Sequence, residues 1–148
     1  NSFHRILWDH ALESKYGFIE LKKSKEIDKV IICSGKIYFD LLEAREKYKK
    51  DNIVLIRIEQ LYPFPAKSLV KELKPYKKNA KFYWCQEEPK NMGAWFSVRD
   101  YIQWTLDTIK ANNNKISYIG RNPDASPATG YVERHISQQK EIINKVFE

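Results

Sequence analysis

A Ser-Gly-Lys tripeptide lies where the sequence passes from an apolar run to a helical pattern. Ser34-Gly35-Lys36 follows the run 29–33 and precedes apolar residues at helical spacing from Ile37. The glycine allows close approach to the backbone, the helix start offers free N–H groups and the lysine adds positive charge, which together suit an anion such as phosphate. The spacing is not that of a Walker loop. The alternative is that Ser34 only caps the helix and Gly35 only makes the turn, and the residues alone leave both interpretations open.

Two arginines occupy comparable places after other apolar runs. Arg57 lies near the end of the run 53–58, and Arg121 follows the run 115–119. Because the carboxyl ends of parallel strands meet at one edge of a sheet, where ligands bind, we expect both arginines at the edge that carries Ser34. Arginine also holds phosphate through paired hydrogen bonds. The predicted phosphate or effector site therefore consists of Ser34, Gly35, Lys36, Arg57 and Arg121.

The sequence shows none of the patterns that are typical of a catalytic centre. It has no nucleophile elbow, no Ser-His-Asp candidate and no G-x-G-x-x-G fingerprint. Glu87 and Glu88 are adjacent, so in an extended segment they point to opposite faces and not into one gap. His4, His10 and His135 are far apart and have no metal-ligand spacing. The residues predict a domain that binds and docks, with no catalytic residue and no metal site.

Apolar runs and helical patterns alternate along the chain and must position these groups. The runs 29–33, 53–58, 81–85 and 115–119 predict strands, and the segments 37–50, 67–73, 94–109 and 131–147 predict helices. A turn of helix is expected at 6–12, inside a polar segment, 1–29, that is predicted to be a connector. The segment 30–148 is predicted to be an α/β domain of three layers. Its sheet of four or five strands is mostly parallel, with room for one antiparallel edge strand, and helices cover both faces.

The composition is that of a globular protein. The 148 residues are 43% hydrophobic and 30% charged, which is enough for one domain with a sizeable core. The net charge of +7 arises from lysines beside acidic residues, as on solvated helix faces, and no nucleic-acid motif is present, so no nucleic-acid partner is predicted. No apolar run approaches the about 20 residues of a membrane helix, so no membrane partner is predicted. Cys33 and Cys85 end apolar runs and are expected to be buried thiols in a reducing cytoplasm.

Four longer motifs follow one another in the chain. They are 33–38 (CSGKIY), 57–65 (RIEQLYPFP), 84–95 (WCQEEPKNMGAW) and 125–130 (ASPATG). In this order the motifs resemble the C-terminal domain of the first component of 2-oxoglutarate dehydrogenase, the decarboxylating subunit that depends on thiamine diphosphate. The resemblance covers about 30–147, and the segment 1–29 resembles the variable connector that precedes this domain in the family.

The resemblance implies a fold like that of the transketolase C-terminal domain. In the family, two upstream domains bind thiamine diphosphate with magnesium and carry the catalytic histidines, so this domain is expected to hold no cofactor and to be inactive by itself. The full-length chain decarboxylates 2-oxoglutarate in the tricarboxylic acid cycle and transfers succinyl to a lipoyl group. The implied partners are the upstream domains, a second copy in a homodimer and the lipoyl-bearing succinyltransferase component, in the bacterial cytoplasm or the mitochondrial matrix.

The role that the resemblance implies for this domain itself is dimer assembly and regulation. Some members of the family carry in it an allosteric site for AMP or acetyl-CoA, and we expect that effector at the strand-end residues named above. One alternative is a free-standing α/β module that binds a nucleotide or another anion. Another is the matching domain of a pyruvate or branched-chain dehydrogenase, although the stretches 57–65 and 86–95 favour 2-oxoglutarate.

Overall fold

The computed structural model describes residues 5–7, 9, 19–125 and 132–148. Within these ranges the strands are β1 (Ile6–Leu7), β2 (Lys29–Cys33), β3 (Ile53–Ile58), β4 (Lys81–Pro89) and β5 (Ile116–Arg121). The α-helices are α1 (Ile37–Tyr48), α2 (Ala66–Leu73), α3 (Trp95–Thr108) and α4 (Val132–Phe147). Short 3-10 helices lie at Ser24–Glu26 and Lys74–Tyr76.

The described strands form one sheet in the order β1-β3-β2-β4-β5. β2 is parallel to both β3 and β4, and β4 is parallel to β5. β1 runs antiparallel to β3 at the edge of the sheet. The connection through α2 carries the chain from β3 past β2 to β4, so the strand order reverses direction at β2. The predicted α/β fold with a mostly parallel sheet and an antiparallel edge strand is confirmed.

Helices cover both faces of the sheet because successive strand residues point to opposite sides. Ile32 belongs to a core cluster that includes buried residues of α2 and α3. Its neighbour Ile31 belongs to a second cluster, with buried residues of α1 and α4. A strand that is buried on both faces has no polar side to show, which is why β2 and β3 are nearly continuous apolar runs.

Two elements differ from the sequence-based expectation. The expected helical turn at 6–12 is wrong where it is described, because Ile6 and Leu7 form a strand with Ile6 opposite Ile58. β4 continues to Pro89, four residues beyond the predicted strand 81–85, and Pro89 pairs with Arg121 after a shift of register. In both cases pairing with a neighbouring strand overrides the local polarity of the sequence.

The segment 1–29 contributes to the core of the fold. Asp9 is buried, and its carboxylate accepts hydrogen bonds of 2.7 Å from Arg45 Nη2 and of 2.7 Å from the backbone N–H of Leu55. Arg45 Nη1 also donates to Asp9. Ile6 of β1 is buried as well. The division into a connector and a domain at residue 30 stays a prediction, but residues on both sides of that boundary share one core.

Two smaller features complete the description. Cys33 and Cys85 are buried free thiols, as predicted. In the described part of the chain, no helix combines the length and the apolar character needed to cross a bilayer.

Candidate functional site

A crevice opens beyond the carboxyl ends of β2 and β4, which are neighbours in the sheet. β2 leads into α1 on one face of the sheet, whereas β4 leads into α3 on the other face. The two connections therefore diverge and leave the space between them uncovered. In sheets of this type such a switch in strand order is the usual place for a ligand.

A cavity of about 550 Å³ occupies this crevice. Its polar groups come from Ser34, Gln86, Glu88 and Ser97. Its apolar walls are formed by Leu61, Tyr62, Trp84, Ala94 and Tyr101. Aromatic walls with a few hydroxyl, amide and carboxylate groups suit a small molecule that has a flat apolar body and hydrogen-bond donors.

Gln86 organises the wall of the cavity on the β4 side. Its Oε1 accepts hydrogen bonds from Trp84 Nε1 at 2.9 Å and from the backbone N–H of Trp95 at 3.1 Å. Its Nε2 donates to the carbonyl oxygens of Pro89 at 2.9 Å and Met92 at 2.8 Å. One buried amide thus ties the end of β4, the following turn and the first residue of α3 into a single unit.

Two glycines shape the rim of the cavity. Gly35 has a φ of +80°, and a side chain there would meet nothing within 4 Å, so the backbone of this turn faces open space. Gly93 has a φ of +66°, and a Cβ there would lie 3.1 Å from Gln86 Oε1 and 3.1 Å from Glu88 Oε2. Both positions need glycine for their conformation, but only Gly93 also needs it for space.

Ser34 does not cap α1, so the interpretation of Ser34 as a simple helix cap does not hold. The N-cap residue is Lys36, and no side chain makes a capping hydrogen bond there. The Ser34 side chain lines the cavity instead. Lys36 Nζ lies 3.5 Å from Glu87 Oε1, with the lysine side chain 77% exposed. Such an exposed pair is worth about 0–1 kcal/mol and leaves the lysine free to move.

Arg57 is held within its own surroundings. It is in register with Cys33 on the neighbouring strand β2, and Cys33 is the residue that immediately precedes Ser34. Its guanidinium carbon lies 4.9 Å from the ring centroids of both Tyr38 and Phe39. Its Nε lies 2.6 Å from Glu59 Oε1. Arg57 is therefore at the predicted edge of the sheet, but its charge is already balanced.

Arg121 ends β5 and lines a different cavity, of about 180 Å³, which shares none of its described lining residues with the crevice. Of the five residues of the predicted site, the structure brings Ser34 and Gly35 together on the crevice. Lys36 and Arg57 lie at the same edge in ion pairs, and Arg121 lies apart. That these five form one effector site stays a prediction.

Sequence reasoning missed Gln86, Tyr62 and Tyr101, which shape the crevice. Gln86 directly follows an apolar run and is therefore predicted at a strand end, but nothing in the sequence marks its amide as the group that organises the wall of the cavity. Tyr62 and Tyr101 gave no usable signal, because aromatic residues are far more often part of a core or an interface.

Burial raises the pKa of three groups near the crevice. Burial raises the pKa of the Cys85 thiol to about 12 and that of the Tyr118 hydroxyl to about 12. Burial also raises the pKa of Cys33 well above its ordinary value. Within the described ranges, no three His, Cys, Asp or Glu side chains are grouped so that they could hold a metal ion. Neither thiol is among the residues that line the crevice.

Three comparisons place this chain among known proteins. The family described as 2-oxoglutarate dehydrogenase C-terminal matches residues 1–147. The 2-oxoglutarate dehydrogenase E1 components of Brucella anthropi and Brucella ovis are each 50% identical over 138 residues, which are 93% of this chain and 14% of each relative. A solved structure titled split gene transketolase, inactive beta4 tetramer, matches 87% of this chain and 39% of its own chain with a TM-score of 0.55. At 13% identity, the last match shows a likeness of fold alone.

Proposed function

This chain belongs to the 2-oxoglutarate dehydrogenase C-terminal family, and from that membership we propose that it serves a full-length 2-oxoglutarate dehydrogenase first component as a non-catalytic domain for assembly and regulation. The observation that carries the proposal is the match over residues 1–147. The chain spans only 14% of the relatives' length. The catalytic machinery is therefore assigned to the remainder of the protein, which binds thiamine diphosphate and magnesium.

The reaction of the full-length protein is decarboxylation of 2-oxoglutarate and transfer of the succinyl group to the lipoyl group of a succinyltransferase component, in the cytoplasm. The test is release of CO₂ from 2-oxoglutarate by the full-length protein with thiamine diphosphate and magnesium, and pyruvate and a branched-chain 2-oxo acid serve as comparison substrates. We expect turnover of 2-oxoglutarate at least tenfold above the others. Preference for either comparison substrate would assign the chain to another 2-oxoacid dehydrogenase.

An aromatic face on α3 supports the role in assembly. Phe96, Tyr101 and Trp104 are 51%, 51% and 50% exposed, although residues of this type are usually buried. On a helix these three positions fall on one side, opposite the buried Val98 and Ile102. Large half-exposed aromatic side chains are enriched at interfaces between proteins. We assign this face to the homodimer.

The assembly role is tested by replacing exposed aromatics in the full-length protein. Phe96→Ala with Trp104→Ala should shift the sedimentation profile from dimer towards monomer without unfolding the domain. Tyr48→Ala is the matched control, because Tyr48 is 47% exposed on α1 at the other face of the sheet. A double variant that remains as dimeric as the control would contradict the assignment of this face.

The regulatory role is placed at the carboxyl edge of the sheet. Ser34 and Gly35 open onto the crevice, Lys36 is exposed beside it and Arg57 lies on the adjacent strand. The aromatic walls are compatible with a planar base and the exposed lysine with a phosphate, which Arg57 would contact by exchanging Glu59 for it. We propose AMP or acetyl-CoA as the effector, and we leave Arg121 out of this site because it lines a different cavity.

Effector binding is tested by calorimetric titration of the full-length protein with AMP and with acetyl-CoA. Lys36→Ala together with Arg57→Ala should abolish binding, whereas Lys67→Ala on α2 removes an exposed lysine of another element and should leave it unchanged. Unchanged affinity in the double variant would remove the effector from this edge.

A further inference from the structure

The cavity of about 180 Å³ between the end of β5 and α4 has a positive lining. Arg121 from β5 and Arg134 and Lys145 from α4 line it, together with the carboxylates of Asp124 and Glu141. Three cations against two carboxylates leave one positive charge in surplus. Among the described residues, neither Arg134 nor Lys145 takes part in an ion pair.

The cations of α4 face the end of β5 because of their spacing. Arg134, Glu141 and Lys145 are separated by seven and four residues, so they fall on one face of the helix. Ile142, which is buried against the sheet, lies next to this face. The packing of Ile142 therefore directs the side chains of Arg134 and Lys145 towards the cavity, and both residues remain exposed.

The Arg121 side chain is largely enclosed and does not have a full set of hydrogen-bond partners. Its side chain is 9% exposed, and its Nε has no hydrogen-bond partner among the described residues. Its Nη2 lies 3.8 Å from Asp124 Oδ2, which is too long for a hydrogen bond. A buried guanidinium without hydrogen-bonded partners is costly, and native proteins normally pair it.

The surrounding backbone holds Arg121 in this place. The Tyr118 hydroxyl donates to the Arg121 carbonyl oxygen at 2.8 Å. Asn91 brackets Asp124, because its Nδ2 donates to the Asp124 carbonyl oxygen at 2.8 Å and its Oδ1 accepts from the Asp124 N–H at 3.0 Å. The wall of the cavity is thus fixed by hydrogen bonds, while the guanidinium that it presents has an ion pair of 3.8 Å with Asp124 but no hydrogen-bonded anion.

We propose that this cavity binds a phosphate group, either inorganic phosphate or the phosphate of a small monoester, between Arg121 on one side and Arg134 and Lys145 on the other. A phosphate dianion supplies the acceptors that the Arg121 guanidinium lacks and offsets the surplus positive charge. The volume is below the about 300 Å³ at which sites for whole drug-sized ligands begin, so it suits a single tetrahedral anion. The site is independent of the effector site proposed at Ser34.

The test is a calorimetric titration of the full-length protein with inorganic phosphate, with glycerol 3-phosphate and with glycerol. We expect at least one of the two phosphates to bind and glycerol not to bind, and the tighter of the two phosphates shows which source the cavity prefers. Absence of phosphate binding in the unaltered protein would overturn the proposal.

Variants then locate the site. Arg134→Gln with Lys145→Gln should weaken phosphate binding at least tenfold, and both residues are exposed, so the fold should tolerate the change. Lys47→Gln with Lys140→Gln is the matched control, because it also removes two cations but from the groove between α1 and α4. Equal weakening by the control would mean that general attraction by the net charge is responsible, and would overturn the proposal. Phosphate binding that is lost in Lys36→Ala with Arg57→Ala but kept in the Arg134 and Lys145 variant would place the anion at the edge that carries Ser34, and would overturn the proposal.

Discussion

Two arginines with largely enclosed side chains, Arg45 on α1 and Arg121 at the end of β5, have different surroundings. Arg45 on α1 is fully buried and makes hydrogen bonds through both Nη atoms to the Asp9 carboxylate. Its Nη1 also donates to the carbonyl oxygen of Ile53. Arg121 at the end of β5 is nearly as buried, yet its nearest carboxylate oxygen is 3.8 Å away. The Nε of each arginine lacks a partner, so the difference lies in the Nη atoms.

The comparison separates a structural charge from one that is suited to a ligand. The fold supplies an anion for Arg45 from its own chain, so that arginine has nothing left to bind. The fold supplies Arg121 with no hydrogen-bonded anion, only with Asp124 at 3.8 Å, and two further cations line the same cavity. This difference in hydrogen bonding, and not the position of an arginine at the edge of the sheet, is the reason for proposing a ligand at Arg121.

Removal of Asp9 should have the largest effect, because it would leave Arg45 buried without its anion. We expect Asp9→Ala to lower the free energy of unfolding by about 3–5 kcal/mol, as measured by urea denaturation. Asp100→Ala removes a carboxylate that is 92% exposed beside Arg99 and should cost less than about 1 kcal/mol. Similar losses in both variants would show that the buried pair is not special.

Replacement of Gln86 tests a buried polar group that is satisfied but uncharged. Gln86→Ala leaves the indole N–H of Trp84 and the carbonyl oxygens after β4 without partners. We expect a loss of about 2 kcal/mol in urea denaturation, between the effects at Asp9 and at exposed carboxylates. Asn144→Ala, which removes an exposed amide on α4, serves as the control and should cost less. A loss as large as that of Asp9→Ala would remove the distinction between charged and neutral networks.

Arg121→Met tests the difference between the two arginines most directly. Since this arginine loses no short hydrogen bond to another side chain, we expect the free energy of unfolding to change by no more than about 1 kcal/mol. Arg45→Met leaves Asp9 buried without its cation and should cost about 3–5 kcal/mol. Urea denaturation of the two variants side by side is the measurement. Equal losses would mean that Arg121 is as structural as Arg45.

The buried thiols give an effect that depends on pH and is absent near neutrality. Cys85 has a pKa of about 12 in the folded protein, against 9.0 for an ordinary thiol. Between pH 9 and 12 the unfolded chain therefore releases a proton that the folded chain keeps, so the free energy of unfolding falls as pH rises. Below pH 9 the thiol is protonated in both states and contributes no slope. Urea denaturation at pH 8 and at pH 10.5 should show the fall, and Cys85→Ala should make it smaller.

The alternation of apolar runs and helical patterns was enough to predict the layers of the fold. β2, β3 and the four helices lie within a few residues of their predicted positions, because residues buried on both faces leave a clear apolar signal. The signal failed at Ile6–Leu7 and at the end of β4. There the strand exists because a neighbour pairs with it, and no local property of the sequence records that neighbour.

The candidate site was only partly accessible to the same reasoning. Ser34, Gly35, Lys36 and Arg57 could be placed at one edge, because topology alone brings the strand ends together. The pairing of their charges could not be predicted. Arg57 contacts Glu59 and the rings of Tyr38 and Phe39, and these contacts depend on side-chain packing.

The sequence by itself determined the fold class, the family and the position of the strand-end groups, because periodicity and local motifs are properties of neighbouring residues. Only the tertiary structure decided which of the two arginines, Arg45 or Arg121, has a hydrogen-bonded carboxylate. Asp9 and Arg45 are 36 residues apart, and Arg121 and Lys145 are 24 residues apart. Contacts over such distances are set by the packing of whole elements against the sheet, and the balance of charge in each cavity follows from that packing.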